Sequence, residues 1–275
     1  MNPISDTAYY CCGVRMEDAD RKPSLCDDHF ARRFMDERGM RIYEPFRVEK
    51  LPNISNIVRC RVIDDFVRDE LQKDPGTRVV TIGAGFDTRP YRLHGGDWTE
   101  IDEPQIIQYK NERLPVAECP NPLRRISIHF SAESLAGKLG AVATDKPVVV
   151  VMEGVFMYLA PGQIDSTLRD IKSRFPRHLL LCDLMNRAFF EKVGQSVHSK
   201  LAAAGAAFTN RPDDPADIFR RNGYMETANV PMFRRAMELG VLWDRARIPA
   251  FVARLMLGVL LKELNGFAVR RFADG

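Results

Sequence analysis

Residues 79–93 read VVTIGAGFDTRPYRL, and the fold turns on how they are read. An apolar, β-branched run enters Gly-Ala-Gly, and the acidic Asp87 follows. Such a run bounded by turn residues reads as a buried strand, here RVVTI at 78–82. Glycine just after a strand lets the backbone turn tightly and lets a ligand approach it closely. The dinucleotide fingerprint G-x-G-x-x-G is incomplete, because Thr88 stands where the third glycine belongs. A P-loop is excluded, since no Gly-Lys-Ser/Thr follows.

Outward from this loop, strand and helix patterns alternate. Upstream, Ile54, Ile57, Val58, Val62, Phe66 and Val67 fall on one face of a helix over 54–72. Downstream, WTEID (98–102), RISIHF (125–130), PVVVVME (147–153) and HLLLCD (178–183) read as further strands. Pro104 and Pro161 open the helices between them, a position that suits proline. The alternation predicts an α/β fold with a doubly wound, mostly parallel sheet. Residues 1–50 are poorly periodic and read as two short helices forming an N-terminal lid. Residues 51–185 form the core, and 186–275 a helical cap on the acceptor side. That cap holds a turn at Gly223-Tyr224, a helix closed by Asn265-Gly266, and FAVRRF (267–272), which alternates like an edge strand. No Pro/Gly/Ser-rich linker separates these parts, so residues 1–275 are expected to form one domain.

The 275 residues are 45% hydrophobic, enough for a sizeable core. A net charge of +3, without a basic stripe, argues against a nucleic-acid partner. MNPISDTAYYCCGV lacks the pattern of a signal peptide. IPAFVARLMLGVLLKEL (248–264) is interrupted by Arg254 and falls short of the ~20 apolar residues of a membrane span. The six cysteines form no C-x-x-C pair, so reduced thiols in the cytoplasm, with no metal, are expected.

In an open α/β sheet, ligands bind beyond the carboxyl ends of the strands. Gly83 and Gly85 lie at such an end, and so do Asp87, Asp102, Glu133 and Glu153. One strand-end carboxylate is as often a helix cap or a solvated turn. Four beside a Gly-x-Gly loop form a rim that disfavours pyrophosphate and suits a nucleoside bearing positive charge, namely S-adenosylmethionine. Asp102 is placed to accept from ribose hydroxyls. The helix over 54–72 runs back along the first strand, and at ~1.5 Å per residue it brings Arg59 beside Gly83, ready for a ligand carboxylate.

TIGAGFDTRPYRL, EIDEPQIIQYKNERL and VMEGVFMYL, with TAYYCCGVRMEDA, LCDDHFARRF and RCRVIDD upstream, resemble the leucine carboxyl methyltransferase family. That family includes tetracenomycin-type polyketide O-methyltransferases. The resemblance implies a class I S-adenosylmethionine fold, with Arg59 on the methionine carboxylate and Arg15 as a second candidate. It also implies Gly83 and Gly85 at the methionine end, Asp102 on the ribose and Glu153 at its strand end. Glu133 and Ser134 stand where the family has Asp-Leu against the adenine.

The reading that follows is an S-adenosylmethionine-dependent O-methyltransferase with a small-molecule acceptor, such as a polyketide-like natural product. The alternatives are an NAD(P)-dependent oxidoreductase, carboxyl methylation of a protein C-terminus, and a catalytically silent S-adenosylmethionine-binding protein. GAGFDTR, EIDEP and MEGVFMY contain no histidine, so the acceptor oxygen is expected to be a carboxylate, which needs no base. The competing expectation is a base from the cap, where His198 lies. The sequence does not address oligomeric state.

Overall fold

A computed structural model describes residues 1–242, 251 and 264–275. Seven strands form one sheet in the order β3-β2-β1-β4-β5-β7-β6. They are β1 (Arg78–Ile82), β2 (Asp97–Asp102), β3 (Leu123–Ser127), β4 (Val148–Met152), β5 (His178–Met185), β6 (Tyr224–Pro231) and β7 (Phe267–Asp274). β1 to β5 pair in parallel, and β7 runs antiparallel to both β5 and β6. β4 is four valines and a methionine, all buried, as a central parallel strand with both faces covered requires. The order reverses between β1 and β4, which places the crevice for a ligand after β1.

Eleven α-helical segments are described. They are α1 (Pro3–Ala19), α2 (Glu37–Tyr43), α3 (Lys50–Lys73), α4 (Arg89–Arg92), α5 (Pro104–Arg113), α6 (Leu135–Leu139), α7 (Pro161–Arg174), α8 (Arg187–Phe189), α9 (Gln195–Ala203), α10 (Asp217–Arg221) and α11 (Met232–Glu238). Two apolar clusters cover the two sheet faces. Val79, Trp98, Val149 and Leu181 pack towards α3 and α1, and Val80, Ile101, Val150 and Leu180 towards α7 and α10.

β1 has the predicted limits, and β2, β4 and β5 lie within two residues of theirs. Two predictions about the flanks are corrected. α1 is a single helix of 17 residues, capped by the Asn2 side chain accepting from the Ser5 amide at 2.8 Å and started by Pro3. FAVRRF lies in an interior strand, because β6 pairs along its other side. β6 shows one buried residue, Tyr224, followed by alternating half-buried and exposed positions, and is itself the sheet edge. The apolar segment 248–264 lies almost wholly outside the described residues. No helix of the described residues is long and apolar enough to cross a membrane.

Candidate functional site

A cavity of about 720 Å³ opens at the carboxyl ends of β1, β2 and β4. Every residue named above as a candidate for holding the cofactor lines it: Arg15, Arg59, Gly83, Gly85, Asp87, Asp102, Glu133, Ser134 and Glu153. The Gly-Ala-Gly turn is left-handed at both ends, with φ of +70° at Gly83 and +45° at Gly85. A Cβ on Gly83 would sit 2.6 Å from Val155 Cγ2, so the first glycine is also needed for space.

Asp102 ties this turn to β2. Its carboxylate accepts from the amides of Gly85 at 2.5 Å and Glu103 at 2.6 Å. Burial pushes Asp102 up to about 6, outweighing the two amides. It is therefore mostly ionised at pH 7 and mostly protonated at pH 5. Its folded value lies above the ordinary one, so folding takes up a proton between about pH 4 and 6, and its contribution to stability falls as pH rises through that window. A ligand whose hydroxyls donate to Asp102 has the opposite dependence. We expect affinity for S-adenosylhomocysteine to fall as pH drops through about 6, approaching tenfold per unit below it. Asp102→Asn should flatten that step. Calorimetry at pH 5 to 8 checks both, and an equally steep step in the variant would remove Asp102 from the site.

The other carboxylates have basic partners or backbone donors. Arg89, 2% exposed, donates from Nε to Asp64 at 2.6 Å and from Nη1 to Asp87 at 2.9 Å, and its Nη2 forms an ion pair with Glu153 at 2.8 Å. Arg59 donates from Nε to the other oxygen of Glu153 and from Nη1 to Asp183, both at 2.9 Å. Arg15 donates to Asp28 at 2.8 Å and to the Phe86 carbonyl at 2.6 Å, and Arg92 to Asp64 at 2.7 Å. Burial alone would push these acids up. The guanidiniums outweigh it, holding Asp87 at about 2 and Asp28, Asp64 and Glu153 below their ordinary values. Asp183 is the exception: burial dominates over Arg59 and the Gly154 amide, and it is raised. Glu133 is exposed at the mouth, where it pairs with Lys138 at 2.5 Å and accepts from the His129 amide.

The expected rim is thus a web of alternating guanidiniums and carboxylates, and it still carries excess negative charge. Six carboxylates line the cavity (Asp87, Asp102, Glu103, Glu133, Glu153 and Asp170) against three guanidiniums, with no lysine or histidine among the described lining. Arg59 uses three of its five N–H groups, counting a contact to Cys11 Sγ at 3.3 Å, so two can still meet a ligand. Thr81, 2% exposed, is also among the lining residues, and its buried hydroxyl has no hydrogen-bond partner among the described residues.

Arg89 and Asp183 were not among the residues read from the sequence. Arg89 stands inside the opening stretch, two residues after Asp87. The strand-end rule that picked out Asp102 and Glu153 picks out Asp183 equally well. His198 does not line the cavity; its Nε2 lies 3.1 Å from the Phe208 amide and 3.3 Å from Arg211 Nη2. Cys26, Cys60 and Asp64 come together in the core, but Arg89 and Arg92 already supply the cations on Asp64.

A family model described as leucine carboxyl methyltransferase matches residues 11–172, more than half of the chain. A protein of Mycolicibacterium gilvum, provisionally named an S-adenosyl-L-methionine-dependent methyltransferase, is 32% identical over 125 residues, 42% of this chain and 40% of its own length. Another of Gibberella zeae, named an S-adenosyl-L-methionine-dependent methyltransferase, is 25% identical over 223 residues, 77% of this chain and 70% of its own. The chain spans less than two thirds of several of its curated relatives, 40% of the first and 61% of one from Streptomyces coelicolor. Among solved structures, a DUF574 family protein from Streptomyces avermitilis superposes with a TM-score of 0.59 at 12% identity, covering 96% of this chain and 97% of that one. The magnesium protoporphyrin IX methyltransferase of Synechocystis superposes with a TM-score of 0.50, also at 12% identity, covering 93% and 100%. These likenesses concern the fold.

Proposed function

We propose, from the premise that this chain belongs to the leucine carboxyl methyltransferase family, that it transfers a methyl group from S-adenosylmethionine to an oxygen of a small molecule. The observation that carries the reading is the charge of the cavity. Six carboxylates against three guanidiniums around a Gly-x-Gly turn repel a pyrophosphate and attract a ligand bearing a sulfonium and an ammonium. This disfavours the nicotinamide-dependent alternative. When bound, the cofactor supplies a methyl group on a sulfonium.

The residues present suit that group. Arg59 keeps two donors for a carboxylate, held in place by Glu153 and Asp183. Asp102 fixes the glycine turn and offers its remaining lone pairs to ribose hydroxyls. Glu133 and Ser134 stand at the adenine end, and Ile106 and Ile128 supply apolar wall. Arg15 is placed to hold the lid helix α1 against the turn through the Phe86 carbonyl.

The protein's part in catalysis is to bring acceptor and methyl into line and to exclude water. The described lining holds no histidine or lysine, and its carboxylates at the glycine turn are already engaged by Arg59, Arg89 or backbone amides. That supports an acceptor already ionised at neutral pH, a carboxylate, on a polyketide-like or similar natural product. Incubation with a metabolite extract and methyl-labelled S-adenosylmethionine tests this. The expected product is a small molecule that releases labelled methanol in mild alkali. An alkali-stable product would overturn the carboxylate, and label in the protein fraction would overturn the small-molecule acceptor.

A further inference from the structure

An adenine carries a 6-amino group, a neutral donor that needs an acceptor once it leaves water. Arg59 and Asp102 are taken by the methionine and ribose ends of the cofactor, and Asp87 and Glu153 by Arg89. Three carboxylates of the lining are left: Glu103, Glu133 and Asp170. Glu133 is engaged by the protein and by water: it pairs with Lys138 at 2.5 Å, accepts from the His129 amide at 2.8 Å, and its side chain is 37% exposed. Asp170 lies nine residues after Pro161 on α7, about 13 Å from the start of that helix at ~1.5 Å per residue. Since α7 joins two parallel strands, that length carries Asp170 away from the strand ends. Glu103 differs from both. Its amide donates to Asp102 Oδ1 at 2.6 Å, which fixes it beside the carboxylate assigned to the ribose. Its side chain is 17% exposed, and Oε1 accepts from the Phe130 amide at 3.2 Å. Oε2 accepts no hydrogen bond among the described residues; its one ion-pair contact there is His129 Nδ1 at 3.7 Å. Phe130 adds a second, independent feature. It lines the cavity too, yet it is 39% exposed, one of the few large apolar side chains open to water among the described residues. A flat base laid against that ring would cover it.

We propose that Glu103, and not Glu133, accepts from the amine of the adenine and so selects a 6-aminopurine. The assignment rests on the cofactor reading above. A carboxylate oxygen held largely out of water, with no close partner, gains a charge-assisted hydrogen bond from an amino N–H. The same oxygen repels the carbonyl of a 6-oxopurine, so the contact discriminates as well as binds. A site built to pair with one polar group rejects an analogue that lacks it, because its own acceptor is then left unmet. The acid that the family resemblance places after the third strand is thereby replaced by one at the end of β2, next to Asp102, while Glu133 stays with Lys138 at the mouth.

The test uses the full chain and two ligands, S-adenosylhomocysteine and its purine analogue with hydrogen in place of the 6-amino group. Calorimetry gives the ratio of their affinities for each variant, so a general loss of binding cancels. The parent should prefer S-adenosylhomocysteine by roughly 10- to 100-fold. Glu103→Ala should bring the two affinities close together. Glu103→Gln keeps an acceptor oxygen without the charge, and should retain part of the preference. Glu133→Ala and Asp170→Asn should keep the ratio of the parent. A Glu103→Ala variant with the parent's ratio would overturn the assignment, and so would loss of the ratio in Glu133→Ala or Asp170→Asn. A parent that binds both ligands equally would overturn it while leaving the cofactor reading intact. A parent that binds neither would refute the cofactor reading, and the assignment with it.

Discussion

Arg89→Ala should destabilise the fold by about 3–5 kcal/mol, the largest loss expected from any single change at the site. The side chain is 2% exposed and joins Asp64, Asp87 and Glu153 at 2.6, 2.9 and 2.8 Å. Removing it leaves three carboxylates in the interior with fewer cations than they need. They must then stay charged at a high desolvation cost or take up protons. The loss is a large part of the ~5–15 kcal/mol that holds an ordinary domain together. Arg89→Lys keeps the charge but cannot serve three acids at once, so it should fall between the two. Urea unfolding checks this, read as a lower midpoint at similar slope. An alanine variant within about 0.5 kcal/mol of the parent would mean the web is not what organises the strand ends.

Arg59→Ala should cost the cofactor about 1.5–3 kcal/mol of affinity, roughly 10- to 150-fold, by removing a charge-assisted partner of its carboxylate. It also strands Asp183, which is wholly buried and already raised, and so lowers stability as well. Asp183→Asn in the same chain removes that stranded charge. The double variant should regain stability and leave affinity low. If it regains affinity too, Arg59 acts only as a counter-ion to the acids around it.

The parts of the fold that the sequence made legible are those where one physical signal dominates. β1 and β4 are continuous β-branched runs, and a buried parallel strand has little other way to be written. α1 was hidden for the opposite reason. It buries Ser5, Arg15 and Asp18 along with Tyr9 and Val14, so its inward positions alternate no cleaner than its outward ones. Arg15 can be inside only because Asp28, 13 residues away, is there to meet it, a pairing that no local pattern reports. β3 was placed too late because the alternation of RISIHF runs on past Ser127, whereas pairing with β2 ends there. β6 has too few apolar residues to stand out, and only its partner β7 makes it a strand.

The candidate site was legible as a list of positions and not as a charge pattern. Strand-end carboxylates and an arginine one helix back were enough to find the cavity. That Asp87 and Glu153 face Arg89, and that Arg59 faces Asp183, depends on side chains from α3, α4 and β5 meeting across the sheet. Spacing along the chain does not carry that information.

Titration calorimetry of the full chain with S-adenosylhomocysteine, S-adenosylmethionine and NADP tests the central claim most directly. The account predicts saturable binding of both sulfur nucleosides, weakened together by Asp102→Asn and Arg59→Ala, and no binding of NADP. Binding of NADP without either sulfur nucleoside would contradict it.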